Sequence, residues 1–295
     1  MNTRKVIHQK LYSKTPYIML IPVIGIALVV SIYPILHAFI VSLYKTSYLK
    51  LTEYVGLKNY LVILADPEVQ HSILVSLKYV LGTLCVSVLL GLGLALILSK
   101  PIRFNGIFRA ILVIPYVVSQ VAAAVLWMWF LNPEYGPINY LIRQLGIGPV
   151  MFLQSPKLAL PTMIIVNSWM SFPFAMILLL AAIESIPKDI YEAAHLDGAS
   201  QWNTFRYITF PLILSTLGIA AIMISLRTLN MVSLILTLTG GGPLNITHTL
   251  GFRIYHDAFV SFRVGRACAL GVIMFLLNIL FGTAYVRVIK EETIY

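Results

Sequence analysis

Apolar and polar residues fall into long blocks along this chain of 295 residues, and the apolar blocks are long enough to cross a membrane. A helix needs about 20 mostly apolar residues to span a hydrocarbon core roughly 30 Å thick. Six blocks meet this requirement, at residues 17–42, 73–99, 107–131, 158–183, 208–236 and 264–289. The pattern therefore predicts an all-α membrane protein with six transmembrane helices.

The polar segment 184–207 carries helix signals of its own between the fourth and fifth blocks. Ser185 is predicted to cap a helix whose first turn contains Pro187, and Gly198 suits the left-handed position that ends a helix. Asp197 or Ser200 would then cap a second short helix. Physical reasoning on this helix–turn–helix leaves two interpretations open, a docking site for another protein and a solvated loop.

After the fifth block, the run Gly-Gly-Gly-Pro at residues 240–243 is predicted to end a helix. An apolar residue then recurs at every fourth position, which indicates one apolar face of a short helix: Leu250, Ile254, Ala258 and Phe262. Such a helix could lie on the bilayer surface or dock under a partner. The second block contains LLGLGLALIL, whose small residues permit close packing of a neighbouring helix.

Composition excludes a large soluble domain, because 59% of the residues are hydrophobic, only 11% are charged and the mean hydropathy is +0.88. The net charge of +10 is spread over the ends of the spans, which favours membrane anchoring over nucleic-acid binding. With the N-terminus inside, eleven Lys and Arg residues are cytoplasmic and eight are external. This bias predicts cytoplasmic tails at 1–16 and 290–295 around a six-span membrane domain at 17–289, a cytoplasmic loop at 184–207 and an external loop at 237–263.

Polar and aromatic side chains inside membrane spans are candidates for contact with a solute. Sugars are commonly held by hydrogen bonds together with an aromatic face. The spans offer both kinds of group, in Tyr116, Asn167, Ser171, Phe174, Arg227, Thr228 and Asn230. Arg227 could pair with an acidic sugar or a phosphate, or it could instead contact backbone carbonyls or a partner chain. The six histidines show no metal-ligand spacing, so no metal is expected.

Several motifs resemble those of permease subunits in binding-protein-dependent ABC importers. The run EAAHLDG, followed after nine residues by Ile208 and Pro211, resembles the family's EAA motif. The family pattern is E-A-A, three residues, G, nine residues and I-x-L-P, and this chain departs from it only at the apolar Phe210. The run LTLTGGGP resembles a signature of the carbohydrate-uptake, maltose-type branch, and the resemblance covers nearly the whole chain.

The resemblance implies a type I ABC importer permease fold, in which two permeases form a pore above two ATPases. The loop residues expected to couple to an ATPase are Glu192, Ala193, Ala194, Asp197 and Gly198. The positions that match sugar contacts in maltose-type relatives are Asn167, Met170, Ser171 and Phe174 in the fourth span and Arg227, Thr228 and Met231 in the fifth. Arg227 and Met231 replace the Phe and Asn of the maltose pattern, so the solute need not be maltose.

The expected partners are a second permease in a heterodimer, two copies of an ABC ATPase, an extracytoplasmic solute-binding protein, a sugar and the lipid of a bacterial cell membrane, but no nucleic acid. The chain has no Walker motif, so it is expected not to be an enzyme, and ATP would be bound by the partner subunits with no cofactor in this chain. An importer permease for glycerol phosphate or a polyol is the alternative within this class. An ion-coupled secondary transporter is the alternative from another class.

Overall fold

The computed structural model describes the backbone of residues 3–48, 50–101 and 103–292 and the side chains of residues 16–48, 50–101 and 103–283. The predicted tail 290–295 and, apart from Pro16, the predicted tail 1–16 lie outside the residues whose side chains are described.

Thirteen α-helices and one strand pair make up the regular structure of the described residues. The helices are α1 Thr3–Ser42, α2 Lys58–Ala65, α3 Pro67–Leu98, α4 Asn105–Val117, α5 Gln120–Phe130, α6 Pro137–Gln144, α7 Ala159–Glu184, α8 Lys188–Leu196, α9 Gln201–Thr204, α10 Phe210–Leu229, α11 Ser233–Leu238, α12 Leu250–Tyr255 and α13 Val264–Glu292. The strands are β1 Tyr44–Ser47 and β2 Lys50–Tyr54, and π-helical turns cover Phe205–Thr209 and His256–Val260.

Five stretches of helix in the described part of the chain are long and apolar enough to cross a membrane, and a sixth span results if α4 and α5 are counted as one. This agrees with the six predicted spans. The third span is not straight, because α4 and α5 meet at an angle of 100°. Val118 is extended at the break, and the Ser119 hydroxyl accepts a hydrogen bond from the backbone N–H of Ala122, so a new helix begins there.

By its backbone contacts the chain divides into two units, the first of which comprises residues 1–63 and 257–273. Strands β1 and β2 of this unit form an antiparallel hairpin, a small addition to the helical fold that the block pattern did not indicate. The Asn59 side chain joins the end of α1 to the hairpin by donating to the carbonyls of Ser42 (2.8 Å) and Tyr44 (3.0 Å). Thr46 accepts a hydrogen bond from the backbone N–H of Gly265 at 2.9 Å.

The second unit comprises residues 64–256 and 274–295. Its core has two parts, one in which α3 and α7 pack with α10 and one in which they pack with α5, α11 and α12. Helices α3 and α7 are tightly packed at Gly91, where an added Cβ would lie 2.7 Å from the Ala175 Cβ and 2.9 Å from the Met176 backbone nitrogen. The close packing predicted from LLGLGLALIL is therefore present at Gly91. Gly93, on the same helix, has no neighbouring atom within 4 Å of the equivalent position.

The fifth predicted span ends earlier than residue 236. Helix α10 stops at Leu229, and α11 begins separately at Ser233 and ends before the glycine run, as predicted for that run. The helix after the glycines is buried at its first residue. Leu250 is 1% exposed, and its backbone N–H donates to the Ser76 hydroxyl at 2.7 Å. The π-helical turn at His256–Val260 also interrupts the four-residue apolar repeat.

Candidate coupling loop and solute pathway

The loop between α7 and α10 begins differently from the prediction. Ser185 does not cap α8, because it closes the last turn of α7 and its hydroxyl donates to the Ala182 carbonyl at 2.7 Å. Pro187 precedes the first residue of α8 and provides no side-chain cap. The predicted cap at Ser185 is therefore wrong, since the fourth span continues to Glu184 and uses that hydroxyl itself.

The end of α8 and the start of the second helix agree with the prediction. Gly198 has a φ of +75°, a conformation that glycine adopts without the steric cost paid by other residues. The backbone N–H of Ala199 then donates to the Ala194 carbonyl at 2.9 Å, which closes the turn. The Ser200 hydroxyl caps α9 by accepting from the backbone N–H of Asn203 at 3.3 Å.

Exposure divides the predicted coupling residues into two groups. Ala194 is buried against its own chain, whereas Glu192, Ala193, Asp197 and Gly198 are exposed. Leu196 was not predicted as a coupling residue, yet its side chain is 88% exposed on the same helix. An apolar residue in a polar loop was the signal in the sequence, but only the structure shows that it points away from the chain.

A buried polar network joins the three core helices at the middle of the second unit. The Asn167 amide nitrogen on α7 donates to the hydroxyls of Thr228 on α10 (3.2 Å) and Thr83 on α3 (3.4 Å). Its amide oxygen accepts from the Ser171 hydroxyl at 3.3 Å. Asn167 and Thr228 are at most 1% exposed, so this network fixes the helices relative to one another in this conformation.

Other predicted pathway residues are also packed inside the chain. Met170 is fully buried, and Met231 is 2% exposed and accepts a contact from the Tyr79 hydroxyl at 3.5 Å. Asn230 lies elsewhere, because its amide pairs with that of Asn278 on α13 at 3.1 Å. The structure therefore does not bring Asn230 into the network around Asn167.

Four predicted residues do line a common cavity, of about 80 Å³, between α4, α7 and α10: Tyr116, Ser171, Phe174 and Arg227. The Tyr116 and Phe174 rings are stacked, with centroids 5.9 Å apart. The Arg227 guanidinium lies over the Tyr116 ring, 5.0 Å from its centroid. No Asp or Glu among the described residues forms an ion pair with Arg227, so the cavity combines a cation, an aromatic face and a hydroxyl without a competing carboxylate.

A second charged cluster lies at the start of α3 and around α12. The Arg253 guanidinium pairs with Glu68 at 2.8 Å, and the His248 and His256 rings are 5.6 Å apart. Burial lowers the pKa of His248 to about 4, and the positive charge of Arg253 adds to the effect. His248 is therefore held neutral in the fold.

Several membrane-length helices, a small cavity that contains a cation and an aromatic face, and an exposed helix–turn–helix between two spans define a multi-span membrane protein. The family model described as "Binding-protein-dependent transport system inner membrane component" matches residues 87–291. The chain belongs to this family of transporter permeases.

Individual proteins support the same assignment over nearly the full length. The chain is 34% identical to the trehalose/maltose transport system permease protein MalF of Thermococcus litoralis over 277 residues, covering 94% of each chain. It is 28% identical to the sn-glycerol-3-phosphate transport system permease protein UgpA of Agrobacterium fabrum, covering 95% of this chain and 96% of that protein. The fold matches a chain of a bacterial ABC transporter involved in import of the acidic polysaccharide alginate, with a TM-score of 0.84, 22% identity and coverage of 97% and 98%.

Proposed function

We propose that this chain is one of two permease subunits of an ATP-driven importer for a carbohydrate, and that segment 184–207 docks on an ABC ATPase. The observation that carries the proposal is the loop geometry. Helix α8 turns one buried residue, Ala194, towards its own chain and leaves Glu192, Ala193 and Leu196 exposed. A charged group and an exposed leucine on a short helix that ends at a glycine turn suit insertion into a cleft of another protein.

This docking fixes the orientation that we propose. The loop and both termini face the cytoplasm, whereas residues 237–263 face outwards, where an extracytoplasmic binding protein would deliver the solute. The ATPases bind ATP, and this chain contributes no cofactor and no metal. Their closure on ATP moves α8 and turns the pore from inward-facing to outward-facing, which is a rigid-body switch between two states.

The cavity supports the idea of a pathway shared between two permeases. Its volume of about 80 Å³ is small, whereas sites for small molecules usually occupy about 300–1,000 Å³. It can hold one polar group of a solute, and we propose that the second permease provides the remainder of the pathway. The relatives named for trehalose and maltose support a sugar as the solute.

Arg227 favours a second candidate, an importer for an anionic solute such as glycerol 3-phosphate. A guanidinium without an acidic partner among the described residues is suited to a phosphate or a carboxylate, and an aromatic ring holds it in place. The relative named for sn-glycerol 3-phosphate supports this alternative.

The first test is co-purification of the detergent-solubilised chain from its own host, with every retained protein identified. A second permease and an ABC ATPase are expected. Leu196→Asp should abolish retention of the ATPase. Leu244→Asp is the matched control, because Leu244 is exposed to a similar extent, at 85%, but lies outside segment 184–207. A chain that purifies alone and transports solute into liposomes without ATP would instead be a secondary transporter.

The two solute classes are separated by Arg227→Gln. Uptake of radiolabelled glycerol 3-phosphate and of trehalose is measured in proteoliposomes that contain the complete complex. Loss of a charge-assisted contact of about 1.5–3 kcal/mol should lower uptake of the anion by roughly tenfold or more, and Lys78→Gln, which removes an exposed charge from α3, is the matched control. Equal loss for the two solutes would remove the charge-recognition hypothesis.

A further inference from the structure

A polar cluster lies where α3 and α7 end and α4 begins, immediately before the proposed coupling loop. The Arg109 guanidinium donates from Nη2 to the Glu184 carboxylate and to the Leu98 carbonyl, the latter at 3.1 Å. The Asn105 amide nitrogen donates to the same carbonyl at 2.7 Å, and its oxygen accepts from the Arg109 Nε at 3.4 Å. Three helix ends are thus joined by one network.

The chemistry of each contact suits this position. Leu98 is the last residue of α3, so its carbonyl has no partner within the helix. The planar guanidinium carries several N–H donors in a fixed fork, which lets one side chain reach a carbonyl and a carboxylate together. A lysine has no second donor group in place of Nε, so it could hold Glu184 but would lose the contact with Asn105.

The network is not what holds α3 and α7 together. The Arg109 and Glu184 side chains are 36% and 44% exposed, and exposed ion pairs contribute little to folding stability. The two helices are already joined by buried contacts that include Ala95, Leu98 and Ile183. What the network adds is a fixed position for the end of α7.

That position matters because α8 follows within four residues, from Glu184 to Lys188. On its other side, α8 is joined to the start of the fifth span by a hydrogen bond between the Tyr191 and Thr209 hydroxyls at 3.2 Å. The helix that docks on the ATPase is therefore connected to the fourth span through the chain and to the start of the fifth span through Tyr191.

We propose that Arg109 is a positioning residue that transmits the movement of the coupling helix to the spans through Glu184 and Leu98. The inference rests on the proposed ATPase docking and deepens it. Because stability comes from the buried contacts, Arg109→Gln should insert and assemble normally but couple poorly.

The test measures docking and movement separately in the complete complex. Docking is the amount of ATPase that co-purifies with the chain. Movement is the change, on adding ATP, in the rate at which a water-soluble thiol reagent labels Tyr116→Cys in a chain that carries Cys85→Ser and Cys268→Ser. This readout does not depend on the identity of the solute.

We expect Arg109→Gln to retain the ATPase while the ATP-dependent change in labelling falls roughly threefold to tenfold. Arg109→Lys should restore part of the change, because it keeps the charge opposite Glu184. Arg103→Gln is the matched control, since the Arg103 guanidinium lies over the Phe104 ring just before α4 and is not part of this network.

Three results would overturn the inference. They are an unchanged labelling response in Arg109→Gln, loss of the ATPase from that variant, or an equal loss of response in Arg103→Gln. Failure of the unsubstituted chain to retain any ATPase would instead overturn the proposed function.

Discussion

The contact between α3 and α7 at Gly91 can be tested by adding a single methyl group. In Gly91→Ala the new Cβ would lie 2.7 Å from the Ala175 Cβ, 2.9 Å from the Met176 nitrogen and 3.1 Å from the Phe172 carbonyl oxygen. Two of these three atoms are backbone atoms of α7, which cannot rotate away. The helices must therefore move apart, and the buried contacts around the site weaken.

The expected magnitude is the balance of two opposing effects. Overpacking of a well-packed interior costs about 1–3 kcal/mol. Alanine is favoured over glycine in a helix interior by about 1 kcal/mol. Gly91→Ala should therefore lower the free energy of unfolding by about 0–2 kcal/mol, whereas Gly93→Ala, which meets no atom within 4 Å, should raise it by about 1 kcal/mol.

The measurement is equilibrium unfolding in mixed micelles of dodecylmaltoside and SDS, followed by tryptophan fluorescence. The two alanine variants carry the same chemical change two residues apart on one helix, so their difference isolates the contact with α7. A Gly91→Ala variant as stable as Gly93→Ala would refute the close packing at this position.

Two further predictions concern the loop and the charged cluster. Gly198 has a φ of +75° and open space around it. Asparagine tolerates that conformation and valine does not, so Gly198→Asn should keep the amount of solute transported per ATP hydrolysed near normal, whereas Gly198→Val should reduce it severalfold. Equal values for the two variants would contradict a conformational role. The fold lowers the pKa of His248 from about 6.5 to about 4. The stabilisation from keeping His248 neutral is therefore complete above about pH 6.5, and the free energy of unfolding falls by up to about 3 kcal/mol as the pH is lowered towards 4. The thermal midpoint of the solubilised protein should fall over this pH range, and a His248→Gln variant with the same pH dependence would contradict the assignment.

The features predicted correctly from the sequence are those set by local chemistry. The number of spans follows from apolar length alone. Gly198 and Ser200 were identified because a left-handed turn and a helix start each restrict the residue type. Ser185 was misassigned because a serine can serve either helix, and only the packing of α7 decides which one uses it.

Features that depend on which way a side chain points could not be predicted from one sequence. Asn167 and Phe174 lie on the same helix and are both candidates by residue type, yet the first is inside a polar network and the second lines a cavity. The break at Val118 was likewise not predicted, because Ser119 and Gln120 are only two polar residues within a hydrophobic block that is long enough for one span.

The polar network around Asn167 and the cavity beside Arg227 are linked through Ser171, so a movement of the helices would affect both. Asn167 and Ser171 are joined by a hydrogen bond, yet Asn167 is sealed among three helices while Ser171 also lines the cavity beside Arg227. A shift of α10 relative to α7 would alter the bond from Asn167 to Thr228 and, at the same time, the distance from Arg227 to Tyr116 on α4. Buried polar contacts of this kind are costly to leave unmade, so they favour discrete arrangements of the helices over gradual deformation. The residues that hold the fold and the residues that would meet a solute therefore share α7 and α10, the two helices that flank the coupling loop.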